Sequence, residues 1–567
     1  MKKFFLILII GIFIYPVFSQ TAPNKYWVTF KDKINSPFSV AQPLDFLSQR
    51  AIDRRNRMNI SVTTQDFPVN PWYLDSIVNI GATVLTTSRW HNGATFYTTD
   101  TAIVSKIRAL SIVQSVQKTK NAARPAKNEN CFSVLPISKN ASKLAQKSII
   151  SEGGKTDNNY SYGYATRQVS MIKGDYLHQM GFSGNGMLIG VLDAGFFHAD
   201  VLPAFDSLWF HNQIVGYKDF VDVNANIFEE STHGMMVLSI MGGNIPDSLV
   251  GTAPKASYLL LRTEDGSSEN LIEEDNWVAA IEYADSVGVD VINSSLGYTK
   301  FDDTTIVRTY ADMTGKKSRA SLAATIASRK GMIVCNSAGN SAIQPWHFIG
   351  VPADADSILT VGAVDENKGY AYFSSVGPAA DGRVKPDVST MGLGTFVQDV
   401  DGFITSGNGT SFSSPVLAGV VTCLWQAFPN KSNFEIMDAV RRSANQYNNP
   451  DTLLGYGVPD FQVAYNLLNP IQVSNLNPSM PNITIYPNPI GDNQWLNISF
   501  TSPEQCSLAV SVYNNIGEKI FQGNINQVNQ GENDIQIANM DQLSAGVYMI
   551  QITSDTYSYS AKFVKRK

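Results

Sequence analysis

The stretch "MLIGVLDAG", residues 187–195, decides the fold. It runs apolar from Met187 to Leu192 with no polar alternation, then ends on Asp193 two residues before Gly195. A strand that is apolar on both faces is covered on both faces, the condition of a parallel sheet lying between two layers of helices. Four more runs share the pattern: "ASYLLLRTE" (256–264), "VDVINSSLG" (289–297), "GMIVCNSAGN" (331–340) and "SILTVGAVD" (357–365). Helical segments such as "EEDNWVAAIEYADSVG" (273–288) separate them. The fold class expected for residues 163–468 is therefore α/β, a doubly wound parallel sheet.

A chain of 567 residues with 44% apolar content is long enough for several buried cores. Its net charge of -6 is spread without a basic stripe, which argues against nucleic acid as a partner. No phosphate-binding loop or dinucleotide glycine fingerprint is present. The four cysteines, Cys131, Cys335, Cys423 and Cys506, have neither disulfide-framework nor metal-ligand spacing.

The start, "MKKFFLILIIGIFIYPVFSQ", joins two lysines to an apolar run too short to span a bilayer, and reads as an export signal over 1–19. No later segment is long enough to span, so no membrane span is expected in the mature form. Residues 20–120 read as a small α+β unit: strands at 25–32, 82–90, 93–100 and 112–119, and helices at 44–58, 70–80 and 101–110. Residues 121–162, rich in Asn, Ser, Lys and Gly, read as an exposed, cleavable linker. A Pro- and Asn-rich joint at 469–482 precedes short alternating strands over 483–567, which read as a β-sandwich.

In a doubly wound sheet, reactive groups collect at the carboxyl ends of the strands. Asp193 ends a strand there, and His233 in "STHG" (231–234) opens an apolar helical segment. Ser411 in "NGTSFSSP" (408–415) precedes another, with Pro415 read in its first turn. Taken alone, Ser411 is a helix cap. Together, an aspartate, a histidine and a serine in that chain order match the order of the subtilisin triad. The nucleophile elbow of α/β-hydrolases, G-x-S-x-G with the histidine last, is excluded: Ser413 stands where the second glycine belongs, and His233 precedes Ser411.

These motifs, with "NSSLG" (293–297), "NSAGN" (336–340) and "FSSVGPAADGRVKPDV" (373–388), resemble the subtilisin-like serine proteases over residues 163–468. The resemblance implies a serine endopeptidase acting on protein or peptide substrates through an acyl-enzyme. Ser411 would be the nucleophile, His233 the base, Asp193 its orienting partner and Asn340 a donor to the oxyanion. It further implies that Ser295, Leu296 and Gly297, and Ser337, Ala338 and Gly339, wall the substrate chain. Ala194 and Met235 depart from the family pattern, which carries hydroxyl residues there, so the support of the triad is expected to differ. The chemistry needs no cofactor. Asp200 is a candidate calcium ligand, but "GGNIPDSLVG" (242–251) offers few partners, so the sequence defines no metal site.

Residues 20–120 resemble the inhibitory propeptides of that family. "YPNP" (486–489), "VSVYNNIGEKI" (510–520), "LSAGVYMIQI" (543–552) and the basic end "KFVKRK" (562–567) resemble the sorting domain of the type IX secretion system of Gram-negative bacteria. That implies the secretion machinery as a partner, export through periplasm and outer membrane, and a secreted or cell-surface location. A catalytically silent surface protein using the same fold for binding or adhesion is the rival reading.

Overall fold

The strand at Leu188–Asp193 buries all six of its residues, and its side chains divide between two cores. Ile189 and Val191 join one apolar cluster, with Val237 and Val416; Leu188 and Leu192 join a second, with Trp277 and Ala323. This division is why the run carries no polar residue before Asp193. The computed structural model describes residues 24–120, 160–469 and 483–566, apart from 493, 539, 541–542 and 555–557, together with the backbone of Leu135–Ser138. The export signal (1–19) and most of the two linkers, 121–162 and 469–482, lie outside the described residues.

The central sheet has seven strands, all parallel. Their order is Val388–Met391, Leu359–Val364, Ile333–Ser337, Val291–Ser294, Leu188–Asp193, Ser257–Arg262 and Ile214–Asp219. The first of these in the chain, Leu188–Asp193, lies inside the sheet, and later strands are added on either side of it. The order therefore reverses at Asp193, and such a reversal opens a crevice at the carboxyl ends. Helices His233–Gly242 and Thr410–Ala427 cover one face, and Ile272–Val287 and Arg319–Arg329 the other. The two outermost strands were not among the five apolar runs. Pro415 corrects a further expectation: the helix begins at Thr410, so the proline lies inside it, beyond the first turn.

Residues 24–120 form a four-stranded antiparallel sheet, ordered Thr83–Ser88, Gly93–Tyr97, Lys25–Phe30 and Val113–Lys120. Helices Pro71–Asn79 and Thr101–Arg108 pack on it around Phe30, Ile77, Phe96 and Ile107. The helix expected at 44–58 starts later, at Gln49, because the Ser48 hydroxyl accepts from Ala51 N and caps it there. The C-terminal residues form a three-stranded and a four-stranded sheet around one apolar core. The sequence marks alternating runs at 483–489, 495–501, 507–515, 533–539 and 546–554; the strands Lys519–Val528 and Ser558–Lys565 lie outside them.

The N-terminal unit docks on the helix Ile272–Val287 through buried charge. Asp285, fully buried, accepts from Arg54, Arg55 and Arg89 of the docked unit. Glu282 accepts from Ser88 Oγ, Arg89 N (2.7 Å) and Trp90 N (3.1 Å). Burial would raise the Asp285 carboxyl, but the guanidinium charges of Arg55, Arg89 and Arg54 outweigh it and hold it below the usual range. Removing one partner of such a network leaves the others charged in a dry interface. Asp285→Ala is therefore expected to cost about 3–5 kcal/mol, read as a lowered urea midpoint and faster limited proteolysis within 24–120. An unchanged midpoint would mean that the arginines find other partners.

Candidate active site

Asp193 is fully buried at the carboxyl end of its strand, and its Oδ1 accepts twice: from Ala194 N (2.8 Å) and from His233 Nδ1 (2.7 Å). His233 opens the helix His233–Gly242 and is 9% exposed. Two glycines allow this approach. A Cβ at Gly234 would stand 2.3 Å from Gly195 O, and one at Gly195, whose φ is 151°, would stand 2.4 Å from Ser231 N. Burial alone would lower the imidazole pKa; the Asp193 charge and hydrogen bond outweigh it and raise the pKa above the ordinary value.

Ser411, 3% exposed, lies in the first turn of Thr410–Ala427. Its hydroxyl caps no helix N–H: it donates to Ser295 O at 3.3 Å. The position before the helix is Gly409, which brings no side-chain cap. Stacking of the His233 ring on Phe412, with centroids 6.2 Å apart, brings the imidazole to the start of this helix. Pro415 contributes from inside the helix. Lacking an N–H, it leaves the carbonyl four residues earlier, that of Ser411, without its helical donor. Ser295 Oγ fills the vacancy, donating to Ser411 O at 2.9 Å. Ser295 and Ser411 thus exchange two hydrogen bonds, which clamp the start of the helix to the end of the strand Val291–Ser294.

Asn340 Oδ1 accepts from Thr410 N (2.9 Å) and Thr410 Oγ1 (3.0 Å), and the same hydroxyl accepts from Gly339 N (3.1 Å). With its oxygen held, the amide presents Nδ2 as its open donor. Gly297, Ser337, Ala338, Gly339 and Asn340 line one cleft. No charged side chain lines it; Phe348 and Val351 do. Leu296 instead packs into the core, and Ser295 is buried beside Ser411, so these two are not part of the cleft lining.

Sequence reasoning missed Arg262. It pairs in register with Asp193, donates from Nε to Ala194 O (3.1 Å), and binds Asp219 (2.7 Å) and Glu230 (3.0 Å). It thereby ties the turn after Asp193 to the loop leading to His233, a route of support that needs no hydroxyl at position 194. Its partners are scattered along the chain, so no local motif marks it. Asp193 Oδ2 is buried without a hydrogen-bond partner among the described residues. Among the described residues, no group of three or more His, Cys, Asp or Glu side chains is arranged to hold a metal ion.

Comparison with known proteins adds three matches. Residues 184–457 match the family model "Subtilase family", 25–131 the "Peptidase S8 propeptide domain, Bacteroidota", and 484–566 the "Secretion system C-terminal sorting domain". The chain is 28% identical over 280 residues to Subtilisin DY of Bacillus licheniformis, covering 49% of this chain and 90% of that protein. It is 28% identical over 302 residues to Subtilisin NAT of Bacillus subtilis subsp. natto, covering 52% of this chain and 70% of that protein. Among solved structures, MycP1 from Mycobacterium smegmatis matches with a TM-score of 0.43 and 20% identity, over 61% of this chain and 89% of that one.

The geometry around His233 makes its titration a direct probe. Asp193→Asn keeps the burial but removes the charge, so the imidazole pKa is expected to fall from above about 6.5 to below it. Ring-proton NMR across pH 4 to 9 (about the range needed) reads this. An unchanged value would mean that Asp193 does not govern the ring.

Proposed function

Because residues 184–457 are a subtilase domain and the chain is a serine endopeptidase, we propose that peptide hydrolysis runs through Asp193, His233 and Ser411, with Asn340 at the oxyanion. The observation that carries this reading is the 2.7 Å bond from His233 Nδ1 to buried Asp193 Oδ1, together with a Ser411 hydroxyl not used as a helix cap and the His233 ring against Phe412, the residue after Ser411. Ser411 Oγ attacks the scissile carbonyl carbon as His233 Nε2 takes its proton. Asp193 stays ionised, fixing the imidazole tautomer and stabilising the imidazolium. The carbonyl oxygen, now an oxyanion, accepts from Asn340 Nδ2 and Ser411 N–H. The imidazolium then gives its proton to the leaving amine as the tetrahedral intermediate collapses to an acyl-enzyme. Water attacks that ester with His233 again as base, and Ser411 is regenerated.

Gly297 and Ser337–Gly339, with only the main chain of the buried Ser295 and Leu296, would hold the substrate backbone as an added strand, a mode that gives affinity through main-chain hydrogen bonds. The cleft lined by Gly297 and Ser337–Asn340 has no charged side chain, which favours an uncharged substrate residue next to the cleaved bond.

The flanking units fit an exported zymogen. A Bacteroidota propeptide domain precedes the peptidase, and a sorting domain follows it, so the protein leaves the cell by type IX secretion and is secreted or held at the surface. In this reading the propeptide is removed by cleavage within 121–162, leaving a mature enzyme of roughly residues 160 to 470, with 483–567 addressing the secretion machinery.

Ser411→Ala is expected to leave thermal melting nearly unchanged while abolishing casein hydrolysis, and to accumulate with the N-terminal unit still attached. Activity falling only in proportion to the folded fraction would return Ser411 to a structural role. Asn340→Ala is expected to lower kcat by about 10² to 10³ with KM little changed. An unaltered kcat would remove Asn340 from the oxyanion.

A further inference from the structure

One strand of the N-terminal unit ends against the catalytic crevice. Val113–Lys120 is the edge strand of its sheet, and its last residue, Lys120, reaches the loop that follows the strand Ser257–Arg262. That loop borders the triad: Arg262 pairs in register with Asp193, and Thr263 N donates to Asp193 O at 2.9 Å. It is also joined to the segment beyond Gly297, because Asp302 N donates to Glu269 O (2.9 Å) and Glu269 N to Asp302 Oδ2 (3.0 Å).

Lys120 Nζ binds Asp265 Oδ2 at 2.9 Å and Ser268 Oγ at 3.2 Å. The loop organises this acceptor from within. Ser267 donates from its N (3.2 Å) and Oγ (2.6 Å) to Asp265 Oδ1, and Ser268 Oγ donates to Oδ2 (3.1 Å). The pair is sheltered, with side-chain exposures of 13% for Lys120 and 27% for Asp265. Behind it lie Glu264 and Glu273, both buried. Burial, with the charges of Glu269 and Glu264, pushes Glu273 well up, and the Lys120 charge acts in the opposite sense. Lys25 stands beside Lys120 in the sheet register; burial and the Lys120 charge hold its ammonium below the usual range, against the opposing charges of Asp265 and Asp222. The catalytic domain thus presents an acidic site that its own N-terminal unit fills with a cation.

We propose that Asp265, with Ser268, is a specificity site: once the N-terminal unit departs, it takes a lysine or arginine side chain of the substrate, on the amino-terminal side of the cleaved bond. The observation that supports substrate as the occupant is that the site borders the crevice that holds the triad; in the maturation proposed above, the segment now filling it also leads toward the cleaved residues within 121–162. A Lys120 anchor used only in the zymogen is the competing outcome. The inference rests on the peptidase reading above and adds a cation requirement remote from the uncharged cleft beside Asn340.

The test uses the processed enzyme obtained from the full chain, with internally quenched peptides carrying Lys, Gln or Glu at each of the several positions preceding the cleaved bond. The expected result is one position where kcat/KM for Lys exceeds that for Gln by about tenfold, as a sheltered charge-assisted hydrogen bond provides, with Glu lower still. Asp265→Asn is expected to bring the Lys to Gln ratio near one, and Asp265→Lys to favour the Glu peptide, a gain that misfolding does not produce. Equal cleavage of Lys and Gln peptides at every position, or a preference that survives in Asp265→Asn, would overturn the proposal and leave Asp265 as a zymogen anchor. Cleavage of none of the peptides would overturn the peptidase reading, and this inference with it.

Discussion

A single buried carboxylate fixes the geometry of the crevice. Asp193 stands where the strand order of the sheet reverses, and one of its oxygens holds both the turn that follows it and the imidazole of His233. The arrangement requires Gly234 and Gly195, since a Cβ at either would collide with backbone. It also requires a counterweight outside the triad, which Arg262 supplies by binding the carbonyl of Ala194 and the carboxylates of Asp219 and Glu230. The opposite wall is held by the exchange between Ser295 and Ser411, made possible because Pro415 withholds a helical donor from the Ser411 carbonyl. Both sides of the crevice are thus fixed by main-chain carbonyls bound to side chains, a rigid support of the kind a reacting constellation needs.

The docked N-terminal unit is held by different physics. One helix, Ile272–Val287, presents Asp285, Glu282 and Asp275 in a dry interface, where charge is costly unless matched. Arg54, Arg55 and Arg89 match Asp285, the Ser88–Trp90 segment matches Glu282, and Thr95 with Arg319 matches Asp275. Such an interface favours one docking geometry and penalises displaced ones. It directs the strand Val113–Lys120 toward the loop that follows Ser257–Arg262, so the fit of the N-terminal unit and the pairing of Lys120 with Asp265 share one cause.

Much of this was legible in the sequence because the signals are local. Five apolar runs marked five of the seven parallel strands, and the motifs around Asp193, His233 and Ser411 pointed to residues that the fold gathers at the carboxyl edge. The other two strands escaped for physical reasons. Ile214–Asp219 is an edge strand with alternating exposure, and Val388–Met391 follows a loop whose prolines and glycines hide its start. In the C-terminal sheets, Lys519–Val528 and Ser558–Lys565 carry too many polar residues to stand out. What no local pattern reveals is pairing across distance: Arg54 and Arg55 meet Asp285 from 231 and 230 residues away, and Lys120 meets Asp265 from 145. Proline placement was misread for a similar reason, since the helix start at Thr410 is set by tertiary contacts to Asn340.

The central claim is that Ser411 is a nucleophile activated by His233, and covalent labelling tests it most directly. The processed protein should react with a fluorophosphonate at one serine, identified by mass spectrometry of the peptide containing residues 408–415, and His233→Ala should suppress that labelling. A folded protein that does not label at Ser411, or one that labels equally after His233→Ala, would contradict the account.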